Sequence, residues 1–433
     1  MFGKMSTFQI VLVIVFILGT IIGMLMFSGK IPTPGGKDTV GITGRVSMWG
    51  TIRGEEMREV VEAINKANEG LNFAYSYHNP NTINQEFIEA LASGIGPDLL
   101  LVSNATFSRF SDKLLVIPYV NFPERTYIDT FVRGAEIFLN KEGIIAMPIA
   151  INPLVLYYNV STLESNGIAV APKYWDEILA LVPKLTKKDP ALNILESTIG
   201  FGSFDNVANA KDIVSLLIMQ TGNAIVGTDK NIYLKSEDSR GEYKSSQALT
   251  FFTQFADPSN TAYSWNRVLP NTKQFFISGK SAFYLGYADE LFEIQNKNPN
   301  LDFDIAMVPQ ARGSAVLSFG DMLAVSVVKS SKNPTGAFMV SQALSSSLYA
   351  DQIAKRLSLA PVRRDLVVKP ASSPYLQIFF NSALVARAWP DPYTEKTDQV
   401  FKDIIDGANT GRYRNGYEMV NELQNRLSLL IKK

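Results

Sequence analysis

Residues 44–104 set the tightest limit on what this chain can become. "RVSMWG" alternates as a short strand, and "EEMREVVEAINKAN" places Met57, Val60, Val61, Ile64 and Ala67 at helical spacing. "LNFAYSY" alternates again, and "NQEFIEALAS" sets Phe87, Ile88, Leu91 and Ala92 on one helix face. Gly94 and Gly96 stop that helix, Pro97 and Asp98 make a turn, and "LLLV" is apolar without interruption, as in a strand covered on both faces. The order β-α-β-α-β predicts an α/β fold with a mostly parallel open sheet, whose ligands lie beyond the carboxyl ends of the strands. Ser103 and Asn104 follow the third strand. They border a cleft or cap a helix opening near Phe107.

The pattern recurs downstream. "GIIAMPIAINPLVLYYN" is an apolar run broken by Pro148 and Pro153, so Ile149 to Asn152 reads as a crossover between two lobes rather than a central strand. "WDEILALVPKLTKK" carries Ile178, Leu181, Val182 and Leu185 on one face, with Pro183 as a kink or stop. "KSAFYLGYADELFEIQNK" reads as a strand into a helix, "DFDIAMVP" and "GDMLAVSVV" as strands, and "NPTGAFMVSQALSS" as a helix with Pro334 in its first turn.

At 433 residues and 46% hydrophobic content the chain is too long for one ordinary domain. Lys and Arg number 41, matching 41 Asp and Glu, and no basic block stands out, which argues against nucleic acid as a partner. Cysteine is absent, and His78 is the one histidine. That removes thiol nucleophiles and most zinc, iron-sulfur and haem sites, and no metal or cofactor is expected. Residues 8–27, "FQIVLVIVFILGTIIGMLMF", are uncharged and long enough to cross about 30 Å of hydrocarbon, so residues 1–30 are expected to form a transmembrane anchor; the alternative is a cleavable signal peptide, whose apolar core is ordinarily shorter and followed by an A-x-A-like site. The Pro/Gly-rich residues 31–43 read as a linker from the bilayer.

In their order and separations, "FIEALASGIGPDLLLVSN", "MPIAINPLVLYYNVSTLESNGI", "PKYWDEILALVPKLTK", "FFISGKSAFYLGYADEL" and "MVPQARGSAVLSFGDMLAVSVVKSSKNPTGAFMVSQALSS" resemble the extracellular solute-binding proteins of ABC importers, in the maltose-binding-like group. The resemblance implies a two-lobe periplasmic-binding-protein-like fold with hinge crossings at Ala150 to Asn152, Pro309 to Gly313 and Leu357 to Pro361. Lobe 1 would comprise 44–150 and 308–356, and lobe 2 would comprise 151–307 and 357–433. It further implies a non-catalytic receptor outside the cell membrane that hands a carbohydrate to an ABC transporter permease, with Lys4 on the inner side. Tyr174 stands where the family commonly has a capping Thr, and the anchor stands where a lipid-bearing cysteine is usual.

A sugar site needs aromatic platforms for C–H faces and planar polar groups for hydroxyls. On one lobe the candidates are Trp49, Thr51, Arg53, Ser103, Asn104 and Asp321, with Asn152 at the first hinge. Facing them are Ser203, Asn206, Trp265, Tyr287 and Trp389, with Trp265 and Tyr287 the expected stacking platforms. Trp49 could equally be core, and Tyr157 and Tyr158 read as sheet residues. Two other readings stay open: a glycosidase-like enzyme using carboxylates drawn from Asp205, Asp289, Asp321 and Asp391, or a ligand-sensing input to a signalling partner.

Overall fold

The computed structural model describes residues 43–227 and 229–431. The apolar run at 8–27 lies outside them; among the described residues no helix is long and apolar enough to cross a membrane.

The opening alternation folds as β1 (Gly44–Gly50), α1 (Gly54–Ala67), β2 (Leu71–Tyr77), α2 (Ile83–Ala92) and β3 (Leu99–Ser103). Beyond them come β4 (Met147–Asn159), α3 (Trp175–Leu185), β5 (Ile194–Ile199), α4 (Ala210–Gln220), β6 (Ser281–Tyr287), β7 (Phe303–Met307) and β8 (Ser318–Val327). The last third adds α5 (Pro334–Leu344), α6 (Ser347–Leu357), α7 (Pro374–Val385), α8 (Thr394–Asn409) and α9 (Gly416–Ile431). One continuous sheet runs β2-β1-β3-β8-β4-β6-β5, with shorter strands off this path. β1 pairs in parallel with β2 and β3, whereas β8, β4 and β6 are antiparallel to their neighbours in the order β3-β8-β4-β6. The sheet is therefore mixed rather than mostly parallel.

β3 is covered on both faces, so Leu99 to Val102 are all buried, each worth about 1.5–3 kcal/mol. The Pro97–Asp98 turn does more than reverse the chain. The Asp98 carboxylate accepts from the Ser47 amide and hydroxyl at 2.8 and 2.9 Å and from the Ser331 hydroxyl at 2.7 Å, fastening β1 to the turn before α5. Gly94 takes φ +69°, the left-handed conformation that ends α2 at little steric cost.

Two hydrophobic cores form. The first gathers Val46, Met48, Phe87, Leu99, Phe107 and Val325; the second gathers Trp175, Ile178, Val214, Leu217, Phe252, Trp265, Phe401 and Leu423. β4 and β8 belong to both. In β4, Ile149 and Ile151 enter the first core, and beyond Pro153 the two faces of the strand divide, Leu154 and Leu156 entering the second core and Val155 and Tyr157 the first; in β8, Phe319 joins the second, and Met322 and Ala324 join the first.

Several expectations are corrected by this packing. The proline-broken run is one central strand, β4. Pro148 sits at an irregularity in the β4–β8 register, and Pro153 sits where β4 exchanges pairing with β8 and Ala360–Pro361 for pairing with β6 and β7. The missing N–H groups fall where ladder continuity is already broken. The buried face of α2 is Ile83, Phe87 and Ala90, leaving Ile88 exposed. No helix opens near Phe107; residues 104–113 are successive turns.

Residues 308–317 contact the second core and α3: Val308 lies in that core, and Arg312 pairs with Asp176 and Glu177 while its guanidinium sits 4.0 Å from the Tyr174 ring centroid. Val367, Phe379 and Ala383 pack into the first core, which also takes in Phe276, Tyr284 and Ile305. At the start of α3, the Glu177 carboxylate accepts the Lys173 and Tyr174 amides at 2.8 and 3.2 Å, the half of a capping box that needs no hydroxyl at position 174.

Candidate functional site

The ends of β3, β6 and the β8 strand meet the first turn of α4 and the segment before α8 around a cavity of about 420 Å³. Ser103, Asn104 and Ala105 come from the first-core side. Phe204, Lys211, Asp212, Tyr287, Phe319, Trp389, Asp391, Thr394 and Asp398 come from the second, with Asp321 on the strand shared by both. A smaller cavity of about 210 Å³ meets the first at Ser103 and Asp321; its remaining walls are largely apolar, including Ile83, Phe87, Leu101 and Phe110, and Thr51 lies on it.

Asn104 explains why a buried strand ends in polar side chains. Its Oδ1 accepts the Met322 amide at 2.8 Å, tying the β3 end to β8, while its carbonyl accepts the Asp391 amide at 3.3 Å. Ser103 closes the following turn by accepting the Ala105 amide on Oγ at 3.2 Å. These two residues thus shape a turn and line the cavity at once.

The second-core wall is charged. The Tyr287 hydroxyl donates to Asp212 Oδ2 at 2.8 Å. Lys211 donates to Asp391 at 2.8 Å and contacts Asp398 at 2.5 Å. Burial works against the Lys211 ammonium, but Asp391 and Asp398 outweigh it and hold its pKa above the ordinary range. Asp212 is pushed up to about 6 chiefly by burial, against the pull of the Tyr287 hydrogen bond and Lys211. Asp321 is pushed up to about 7 by burial and by the neighbouring Asp212 and Asp289. Burial, then Asp212 and Asp321, keep the Tyr287 phenol protonated far above its usual range.

Trp389 lines the cavity with 3% of its surface exposed, donating Nε1 to the Ser215 hydroxyl at 3.0 Å and stacking on Phe401. Trp265 is a correction. It is fully buried, packs edge-on to Phe275 and donates Nε1 to Asn206 Oδ1 at 3.1 Å, so it offers no face to a ligand. Asn206 spends its other polar atom on the carbonyls of Asn266 and Leu269, and buried Ser203 lies off the cavity lining.

Asn152 sits opposite Asp321 in the β4–β8 register and accepts the Asp289 amide at 3.3 Å, outside the lining. Trp49 stacks on His78 at 3.9 Å, and the His78 Nδ1 meets Glu86 at 2.5 Å; Arg53 is exposed beside Glu55. Of the four carboxylates considered for catalysis, Asp321 and Asp391 line the cavity, Asp289 follows β6 with its amide bonded to Asn152, and Asp205 pairs with Lys402 on the surface.

Sequence reasoning missed Lys211, Asp212, Thr394 and Asp398. A signal existed for the first two. Ile213 to Gln220 are buried all around, so the Lys211–Asp212 pair is a charged cluster at the mouth of an otherwise apolar helix.

Similarity to known proteins fits this architecture. The fold resembles the cyclic α-maltosyl-1,6-maltose binding protein from Arthrobacter globiformis (TM-score 0.74, 14% identity, covering 90% of this chain and 99% of that one). It also resembles a cyclo/maltodextrin-binding protein complexed with maltotetraose (TM-score 0.73, 16%, 90% and 97%). A third likeness is the GacH receptor of Streptomyces glaucescens, solved unliganded and with acarbose (TM-score 0.68, 17%, 90% and 99%). At these identities the likeness is one of fold. No curated protein matches the sequence significantly. The family model for bacterial extracellular solute-binding proteins matches residues 59–374, and with a two-lobe α/β fold enclosing a cavity, the chain belongs to that family.

Proposed function

We propose that this protein captures a sugar or oligosaccharide between its two lobes and delivers it to the membrane components of an ABC importer, without making or breaking a bond in it. The observation that carries this reading is the placement of the 420 Å³ cavity, walled by Ser103 and Asn104 from one core and by Tyr287, Trp389 and Asp212 from the other. A solute seated there touches both lobes, and its extra affinity for the closed arrangement is what drives closure. Tyr287 and Trp389 supply aromatic surface for C–H faces; Ser103, Thr394 and the carboxylates supply partners for hydroxyls.

The chain would pass between lobes within β4 and within β8, two strands that contribute to both cores, and between Ala386 of the first core and Trp389 of the second. The apolar residues 8–27 would tether the receptor to the outer face of the membrane, raising its effective concentration near the permease. A thermal-shift screen of the full chain against carbohydrates tests this: a saturating solute raises the melting temperature and contracts the X-ray scattering profile. If carbohydrates leave both unchanged, or if the cavity hydrolyses them, the reading fails.

A further inference from the structure

The charge balance of the cavity goes further than solute capture. Its lining holds four carboxylates, Asp212, Asp321, Asp391 and Asp398, against the single ammonium of Lys211, and that ammonium is already engaged by Asp391 and Asp398. Asp289 adds a fifth carboxylate near Asp321. Asp212 has only the neutral Tyr287 hydroxyl, and neither it nor Asp321 is ion-paired among the described residues. A wholly neutral sugar could hydrogen-bond to these oxygens but would leave their charges facing one another in a closed, poorly hydrated space.

We propose that the solute carries a protonated amine, as in an amino sugar or an amine-bearing oligosaccharide, and that this ammonium sits between Asp212 and Asp321 beside the Tyr287 ring. The proposal rests on the solute-capture reading and narrows its ligand class. Charge-assisted hydrogen bonds from an ammonium to carboxylates are roughly twice as strong as neutral ones, and an aromatic face within about 6 Å adds a cation–π attraction. A bare metal ion fits less well: among the described residues no group of three His, Asp or Glu side chains could hold one. The same carboxylates leave the hydroxyl-rich remainder of the ligand to Ser103, Thr394 and the smaller cavity that opens past Ser103.

Calorimetric titration of the full chain at pH 7, where the amine of a 2-amino sugar is still largely protonated, tests the assignment with four probes: glucosamine, its β-1,4-linked disaccharide, and the N-acetylated form of each, with maltotriose as a further neutral control. At least one amine is expected to bind tenfold or more tightly than its N-acetylated counterpart. Raising the salt concentration should erode that preference. Asp321→Asn should abolish it while leaving the melting temperature of the free protein unreduced; Asp212→Asn provides a second variant should the first misfold. Equal or tighter binding of the neutral probes overturns the amine assignment and leaves solute capture standing. Retention of the preference in both variants overturns it as well, and heat from none of the probes overturns the assignment together with the carbohydrate reading.

Discussion

Tyr287, the last residue of β6, donates its hydroxyl proton to Asp212 in the first turn of α4 at 2.8 Å, so a strand end and a helix start are joined across one wall of the cavity. Both groups are affected: the phenol stays protonated, and the carboxylate is held lower than burial alone would leave it. Tyr287→Phe should raise the Asp212 pKa above its value of about 6 and cost about 1 kcal/mol of stability. A carbon-detected titration of the aspartate carboxyls, read beside a urea melt, checks both.

Trp265 should behave as a core residue. Trp265→Ala removes a fully buried indole and strands Asn206 Oδ1, so a loss of about 3–5 kcal/mol is expected, seen as a large drop in the denaturation midpoint. A variant of native stability with weakened solute binding would show that the indole faces the ligand after all.

The elevated acids give stability a pH slope of defined sign. Asp321 and Asp212 titrate near 7 and 6 in the folded chain, against about 4 when unfolded. Between those limits the folded state binds more protons than the unfolded state, so this contribution is complete below pH 4 and is lost as the pH rises towards 7. Asp321→Asn should therefore stabilise the solute-free protein by on the order of 2 kcal/mol at pH 8 and have little effect near pH 4. Paired thermal melts at the two pH values measure the difference.

Lys211 lies at the opposite end of the charge ledger. Lys211→Met leaves Asp391, 4% exposed, without its cation, and a loss of about 3–5 kcal/mol is expected. Adding Asp391→Asn should recover part of it, and a double-mutant cycle in urea gives the coupling directly.

The legible parts of this molecule were those set by local pattern. The spacing of Met57, Val60 and Ile64 yields α1, and the apolar run at Leu99 yields β3, because each depends only on which face meets a core. Pro148 and Pro153 misled because a proline is judged by whether its missing amide is needed, and that depends on partners far away in sequence, including Gly320 and Ala324. In the site, Ser103, Asn104, Tyr287, Asp321 and Trp389 could be placed at element ends from the sequence. Trp265 could not be sorted from them, since a tryptophan beside an asparagine in a loop reads alike whether the ring meets Phe275 or a solute. Lys211 stayed hidden because its partners Asp391 and Thr397 lie almost two hundred positions later, and Asp212 because its partner Tyr287 lies 75 positions later.

The pairing of Asn152 with Asp321 places a cavity carboxylate on one of the two strands shared by both cores. If the two lobes close as proposed, torsion of one against the other would flex this rung of the ladder. The lever and the latch would then be the same few backbone units, and a solute pulling on Asp321 would act at the fulcrum with no relay in between.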